Sequence, residues 1–166
     1  MDFDCFIFDF DGTLASSERA YLAAFDHTIR LHTGLEIREE EFRDYWNMTP
    51  QEVLRRYSEE LLEEMLVSFE EHYYANHHHH VSPYDGVIEL LEGLDRLGAS
   101  LAVVSLKPRR AGEREIELTG LRPMIDLTVW GDDVERPKPY PDGVLRALDE
   151  LGVQAGRALV IGDSPA

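Results

Sequence analysis

Near its start the chain reads Asp9-Phe10-Asp11-Gly12-Thr13-Leu14, directly after the short apolar run Cys5–Phe8. Such a run is typical of a strand buried on both faces of a parallel sheet. Residues two apart in an extended backbone point the same way, so Asp9 and Asp11 can face one site. Gly12 lets the backbone turn sharply and lets a ligand approach it closely. Because ligands of open α/β sheets bind at the carboxyl ends of strands, the stretch indicates a functional site rather than a solvated Asp-Gly turn.

The rest of the chain predicts an α/β fold with a helical insertion. After residue 83, helical patterns alternate with three further predicted strands, at 101–104, 127–130 and 158–161. This alternation implies a Rossmann-like parallel sheet with right-handed crossovers, whose first strand lies between the second and the last. Residues 15–82 show only helical patterns, including an apolar stripe that ends with Leu31 and a capping box that begins at Thr49. We therefore predict an α/β core of residues 1–14 and 83–166, and an all-helical cap of residues 15–82.

Polar residues suited to phosphate chemistry follow each predicted strand. Ser105 and Lys107 follow the second strand, Lys138 follows the third within an Arg-Pro-Lys-Pro loop, and Asp163 follows the last. Taken singly, Ser105 fits a strand-end hydroxyl, Lys138 a solvated lysine and Asp163 a helix cap. In a parallel sheet, however, all of them converge on one edge together with the first two aspartates. Their order along the chain favours a shared site.

The residue types at this edge match the needs of phosphoryl transfer. One aspartate can attack phosphorus as a nucleophile, and a second can protonate the leaving oxygen and later activate water. Carboxylate oxygens suit Mg²⁺, which also takes a phosphate oxygen. A hydroxyl and a lysine can hold the remaining phosphoryl oxygens and offset their charge.

The chain resembles the haloacid dehalogenase-like hydrolases over nearly its whole length. The resemblance rests on four stretches that look like the signatures of that family, namely Asp9-Phe10-Asp11-Gly12-Thr13-Leu14, Val104-Ser105, Lys138-Pro139 and Gly162-Asp163-Ser164. The predicted helical insert resembles the cap of the phosphoglycolate phosphatase and β-phosphoglucomutase branch. Val104-Ser105-Leu106-Lys107-Pro108 and Lys138-Pro139-Tyr140-Pro141 further resemble stretches of the phosphoglycolate phosphatases.

The resemblance implies a role for each matching residue. It implies Asp9 as nucleophile, Asp11 as general acid and base, and Mg²⁺ on Asp9, the backbone carbonyl of Asp11 and Asp163. It places Ser105 and Lys138 on the transferring phosphoryl group. The implied phosphate-binding set is Asp9, Gly12, Thr13, Ser105, Leu106 and Lys138. Leu106 departs from the polar residue usual in the family, and the acid at position 11 separates this chain from the true dehalogenases, which lack it.

Two segments of the predicted cap invite a functional interpretation. In the resembled branch the loop that corresponds to Trp46, Asn47, Met48 and Thr49 meets the substrate, although packing of Trp46 and Met48 within the cap is an equal alternative. The run His77-His78-His79-His80 lacks accompanying acids or cysteines, so we interpret it as a solvated connector rather than a metal site.

Composition limits the class of partner. The formal net charge of −17 opposes binding to nucleic acids or anionic membranes through a broad basic face. No apolar run approaches the length of about 20 residues needed to span a membrane. The single cysteine, Cys5, and the absence of a leader pattern indicate a cytoplasmic protein. The sequence does not predict an oligomeric state.

These observations predict a Mg²⁺-dependent phosphatase that acts on a small phosphorylated metabolite through an aspartyl-phosphate. A phosphosugar mutase of the β-phosphoglucomutase type and a non-catalytic binding protein that kept the fold are the alternatives. The second acid of the last family signature would fall one residue beyond Ala166, and the family's fifth strand and closing helices have no counterpart. We therefore expect the C-terminal end of the core to be truncated and the chain to be a fragment.

Overall fold

The computed structural model describes residues 2–45 and 48–163. The chain divides into two compact units, Met1–Ser16 with Ser82–Ala166, and Ser17–Val81. The strands are β1 (Cys5–Phe8), β2 (Ala15–Ser16), β3 (Ser82–Pro83), β4 (Ser100–Val104), β5 (Leu127–Val129) and β6 (Ala158–Ile161). The helices are α1 (Glu18–Thr33), α2 (Glu39–Tyr45), α3 (Pro50–Arg55), α4 (Leu62–Asn76), α5 (Val87–Arg96), α6 (Arg109–Leu118) and α7 (Asp142–Leu151).

The first unit is built on a four-stranded parallel sheet in the order β5-β4-β1-β6. This confirms the predicted fold class and the central place of the first strand. All four residues of β1 are buried, as expected for a strand with neighbours on both edges. Cys5 and Ile7 pack with alternate residues of β4 and with Ala147 and Leu148 of α7. The alternation of side chains along β1 therefore anchors one face of the sheet to α7.

The two segments that link the units form a short antiparallel pair. Ala15 of β2 pairs with Pro83 of β3, and Ser16 pairs with Ser82. Residues 15, 16 and 82 fall within the block that the sequence predicts as all-helical, so the structure differs there. Extended segments that run side by side satisfy their backbone groups by pairing, and Ala15 is fully buried at this crossing.

Residues 17–81 form a helical unit in which α1 packs along α4 and α3 also contacts α4. The rings of Phe25 and Phe69 lie 4.6 Å apart at the centre of the first of these contacts. Leu31, predicted to belong to the apolar stripe of α1, is 62% exposed. It lies about 200° round the helix from the buried Ile29, on the opposite side.

The histidine run is only partly solvated. His77 is 1% exposed, with its ring 5.2 Å from that of Tyr73, whereas the three following histidines are exposed. The prediction of a solvated connector is therefore wrong for His77. It continues the buried side of α4 into a short 3-10 turn.

None of the helices within residues 2–45 and 48–163 is both long enough and apolar enough to cross a membrane.

Candidate active site

The register of the sheet brings three strand ends to the same level. Phe8, the last residue of β1, pairs with Val103 of β4 on one side and with Ile161 of β6 on the other. Asp9, Ser105 and Asp163 follow these three positions within two residues. Parallel pairing thus places the predicted site residues on one edge of the sheet.

The carboxylate of Asp9 is held by two donors. Its Oδ1 accepts a hydrogen bond from the backbone N–H of Phe10 at 2.7 Å, and its Oδ2 lies 2.9 Å from Nζ of Lys138. The backbone N–H of Asp9 donates to the carbonyl of Ile161, which ties the residue to β6. Both partners of the ion pair are largely shielded from water. Lys138, nine residues beyond the end of β5, thus reaches the end of β1.

The turn after Asp9 is built around Phe10. The Phe10 carbonyl accepts the backbone N–H groups of Leu14 and Ala15, while its buried ring packs edge-on against Trp130 at 5.8 Å between centroids. This anchoring turns the Phe10 side chain into the protein. Asp9 and Asp11, on either side of Phe10, therefore remain at the strand end.

Gly12 and Asp163 lie in direct contact. Gly12 has φ +75°, and a Cβ atom placed on it would stand 2.3 Å from Oδ2 of Asp163. Only a glycine therefore satisfies both the left-handed backbone and the closeness of the carboxylate. The contact brings the predicted metal ligand of β6 against the turn that carries Asp11.

Three further predicted residues offer polar groups at this end of the sheet. Thr13 Oγ1 is buried and has no hydrogen-bond partner among the described residues, which suits an oxygen acceptor supplied by a ligand. Ser105 is buried, and its Oγ accepts the backbone N–H of Lys107 at 3.2 Å, so its own hydroxyl hydrogen remains a donor. The Leu106 side chain is exposed, and the Leu106 carbonyl packs closely on Gly131.

Lys107 lies at the predicted edge of the sheet, where its side chain is buried between two carboxylates. Its side chain is 0% exposed, and Nζ lies 2.9 Å from Oδ1 of Asp11 and 2.7 Å from Oε2 of Glu115, itself fully buried. The ammonium is thus paired with carboxylates. Sequence reasoning missed Glu115, although a signal was present, because it occupies the same side of α6 as the buried Ala111 and Ile116.

The four predicted substrate residues belong to the second unit, and two of them can be described. Thr49 caps α3 with a complete capping box, in which its Oγ1 accepts the backbone N–H of Glu52 at 3.3 Å. Met48 is partly buried. Trp46 and Asn47 lie outside the described residues.

The residues predicted to bind a metal offer only oxygen atoms, which is the ligand type Mg²⁺ prefers. The carboxylates of Asp9 and Asp163 and the turn at residues 11–12 belong to the same strand ends. Within the described part of the chain, no group of three or more His, Cys, Asp or Glu side chains is arranged to hold a metal ion. The predicted set has only two side-chain ligands, because its third ligand is the backbone carbonyl of Asp11, so this finding does not test it.

Comparison with known proteins shows the family of the chain. A family model described as haloacid dehalogenase-like hydrolase matches residues 6–166. The chain belongs to this family. The resemblance and the enzyme class, a hydrolase, are thereby confirmed. Among curated relatives, pyrophosphatase PpaX of Bacillus cereus (strain AH820) is 27% identical over 164 residues, which cover 99% of this chain and 76% of the relative.

Solved structures superpose over almost the whole chain. CbbY from Rhodobacter sphaeroides, crystallised in complex with phosphate, has a TM-score of 0.81 at 26% identity and covers 98% of this chain and 78% of its own. A predicted phosphoglycolate phosphatase from Haemophilus somnus 129pt has a TM-score of 0.86 at 22% identity and covers 98% and 78%. The second likeness, at 22% identity, concerns the fold alone.

Proposed function

We propose that the chain is a Mg²⁺-dependent phosphatase that hydrolyses the phosphate ester of a small metabolite, as phosphoglycolate phosphatases do, through an aspartyl-phosphate on Asp9. The observation that carries the proposal is the Asp9 carboxylate, held at 2.9 Å by Lys138 at the end of the central strand. A largely shielded, oriented carboxylate beside a lysine is equipped to attack phosphorus, and the lysine can offset the charge of the phosphoryl group.

In the first step an oxygen of Asp9 attacks phosphorus and the substrate's ester oxygen leaves. Lys138 has three N–H donors, so it can contact Asp9 and also donate to a phosphoryl oxygen. The hydroxyls of Ser105 and Thr13 supply further donors. Asp11 gives its proton to the leaving oxygen, which becomes an alcohol.

In the second step a water attacks the aspartyl-phosphate, and Asp11 now accepts the proton of that water. Asp9 is regenerated and phosphate is released, so one water is consumed for each ester cleaved. The acid and the base are thus the same side chain in successive steps. This fits a single acid placed two residues beyond the nucleophile.

Asp9, the backbone carbonyl of Asp11 and Asp163 are the residues that would hold Mg²⁺. When bound, the ion would neutralise charge on the phosphoryl oxygens. The contact between Gly12 and the Asp163 carboxylate supports this assignment, because it keeps an oxygen ligand beside the turn.

Inorganic pyrophosphate is a second candidate substrate, because several curated relatives carry the name pyrophosphatase PpaX. Assays that follow phosphate release from pyrophosphate and from a set of phosphorylated metabolites compare the two. Conversion of a sugar phosphate to its isomer without phosphate release would instead identify a mutase. We place the enzyme in the cytoplasm, because a single unpaired cysteine, Cys5, suits a reducing compartment.

The mechanism is tested by two substitutions that separate nucleophile from acid. Asp9→Asn should abolish turnover of every substrate, because an amide is a poor nucleophile. Asp11→Asn should lower phosphorylation of Asp9 by roughly 10²–10⁴-fold with an alkyl phosphate. The loss should be much smaller with p-nitrophenyl phosphate, whose leaving group scarcely needs a proton. Rapid-quench measurement of phosphoenzyme formation reports this step directly.

Two outcomes would contradict this mechanism. Near wild-type turnover of Asp9→Asn would exclude a covalent intermediate on that residue. An equal loss on both substrates in Asp11→Asn, measured at the phosphorylation step, would show that Asp11 is not the acid. Mg²⁺ dependence is checked in the same assays by removing divalent ions with a chelator and restoring them.

A further inference from the structure

The proposed acid, Asp11, is the first of three charged side chains in a row, and the other two are buried. Nζ of Lys107 lies between Oδ1 of Asp11 at 2.9 Å and Oε2 of Glu115 at 2.7 Å, so the charges alternate in sign. The side chains of Lys107 and Glu115 are both 0% exposed. Burying two ions has a high desolvation cost, which their mutual attraction only partly offsets. A buried pair of this kind therefore calls for a role beyond stability.

The backbone of Lys107 is fixed on both sides. Its N–H donates to Oγ of Ser105, and its carbonyl accepts the N–H of Gly131 at 3.0 Å. A Cβ on Gly131 would stand 2.3 Å from the Leu106 carbonyl, so the loop after β4 is closely packed here. The backbone position from which the Lys107 side chain extends is therefore well defined.

Glu115 fixes the other end of the same side chain. It lies on the inner side of α6 beside the buried Ile116, on a helix rather than a loop. Lysine is a flexible chain with a compact charge, so a single contact with Asp11 would not fix its position. With Glu115 as second partner, the ammonium is held at one place relative to the carboxylate of Asp11.

We propose that Glu115, acting through Lys107, is a positioning residue that fixes the orientation of the Asp11 carboxylate for proton transfer to the leaving group. The inference rests on the proposed function, because it presumes that Asp11 exchanges this proton. Holding Oδ1 at Lys107 restricts rotation of the carboxylate about its Cβ–Cγ bond. The two lysines therefore have different partners. Lys138 contacts the nucleophile Asp9, and Lys107 contacts the acid Asp11.

The test replaces Glu115 by its neutral isostere, glutamine. It measures how kcat/KM depends on the leaving group of the substrate. Glu115→Gln should lower kcat/KM by roughly 10-fold for an alkyl phosphate, part of the usual contribution of an acid. The same variant should change kcat/KM less than about 2-fold for p-nitrophenyl phosphate. Glu117→Gln, an exposed position on the same helix, is the matched control and should change neither value.

A second variant guards against loss of folding. Lys107→Met/Glu115→Leu removes both buried charges together, an exchange that often leaves stability unchanged. It should keep the melting temperature near that of the wild type and show the same dependence on leaving group. An equal loss on both substrates, or no loss on either, would overturn the proposal. Failure of both variants to fold would also overturn it, because the pair would then be a folding requirement.

The result also separates this inference from the proposed function. A wild-type chain that releases no phosphate from any ester in the presence of Mg²⁺ would contradict the function itself. An active wild type with Glu115→Gln indistinguishable from Glu117→Gln would contradict only the role of Glu115.

Discussion

Gly12 and Gly98 have nearly the same backbone conformation but different surroundings. Their φ angles are +75° and +77°, yet only Gly12 faces another group, the carboxylate of Asp163. Gly98 has nothing within 4 Å of a built Cβ. Alanine substitutions at these two glycines therefore distinguish the cost of a left-handed backbone from the cost of crowding the Asp163 carboxylate.

Gly12→Ala should reduce activity sharply and raise the Mg²⁺ concentration needed for half-maximal rate, because the new methyl group displaces Asp163. Gly98→Ala should leave both quantities unchanged. Each variant should lose roughly 1 kcal/mol of folding free energy from the strained φ. Mg²⁺ titrations of activity and urea unfolding measure the two effects. Equal Mg²⁺ requirements in both variants would show that Asp163 is not a ligand.

Among individual residues, the sequence predicts best the positions of those that directly follow strands. Asp9, Ser105 and Asp163 could be placed because strand ends in a parallel sheet coincide. Glu115 was missed because a charged residue on a helix is normally assigned to the solvent side. His77 was misassigned for the same reason, since its burial depends on the aromatic residues of α4 that pack against it.

Among the elements, α3 is short and depends on its first turn. The capping box of Thr49 and Glu52 satisfies backbone N–H groups at both positions, at 2.7 Å and 3.3 Å. Six residues alone do not form a stable helix, so the cap and the buried Val53 and Leu54 must fix this element.

Thr49→Ala should lower the free energy of unfolding by about 1 kcal/mol, the usual cost of losing a side-chain cap. Thr49→Ser keeps a capping hydroxyl and serves as the control, with most of that stability retained. Denaturant unfolding followed by circular dichroism compares the two variants. Equal stability of Thr49→Ala and the wild type would show that the cap contributes nothing to this unit.

The start of α6 is tied to β5 through Glu113. Burial raises the pKa of the Glu113 carboxyl, whereas hydrogen bonds from Trp130 and Thr128 lower it. The lowering is the larger effect, so the net pKa lies below its ordinary value of 4.5. The Trp130 Nε1–H and the Thr128 hydroxyl donate at 2.7 Å and 2.8 Å. A depressed folded pKa means that the ionised form favours folding.

This pairing predicts a pH-dependent stability. The contribution of Glu113 should be complete above pH 4.5 and should be lost as the pH falls through the lower folded pKa. Glu113→Gln should therefore flatten the acid limb of stability against pH, whereas Glu117→Gln should leave it unchanged. Melting temperatures between about pH 3 and pH 7 test the sign. A steeper acid limb in Glu113→Gln would refute it.

The three later strands of the main sheet were predicted to within one residue, at 101–104, 127–130 and 158–161. The short strands β2 and β3 were missed, because two residues carry no periodicity. Their pairing depends on where the chain leaves and re-enters the α/β unit, which is a property of tertiary structure.

Over the whole molecule, topology was more predictable than surface detail. Alternating strands and helices allow few arrangements with right-handed crossovers, so the place of β1 between β4 and β6 could be predicted from the pattern. The net charge of −17 points to a positive local site for any anionic substrate, and Lys138 beside Asp9 is of that kind.

The order of the sheet has a consequence for biosynthesis. The central strand is translated first, but Cys5 pairs with Ser100 and Ala158, about 95 and about 153 residues later. At roughly 5–20 residues per second, the second partner follows after about 8–30 s. Closing such loops costs about 4 kcal/mol in chain entropy. Residues 17–81 need no partner from the later chain for the α1–α4 contact.

The helices of residues 17–81 should therefore become protected while the apolar strand Cys5–Phe8 is still exposed and open to chaperones or aggregation. Pulse-labelling hydrogen exchange during refolding should show amides of α1 and α4 protected before those of Phe6 and Phe8. Simultaneous protection would contradict this order of folding.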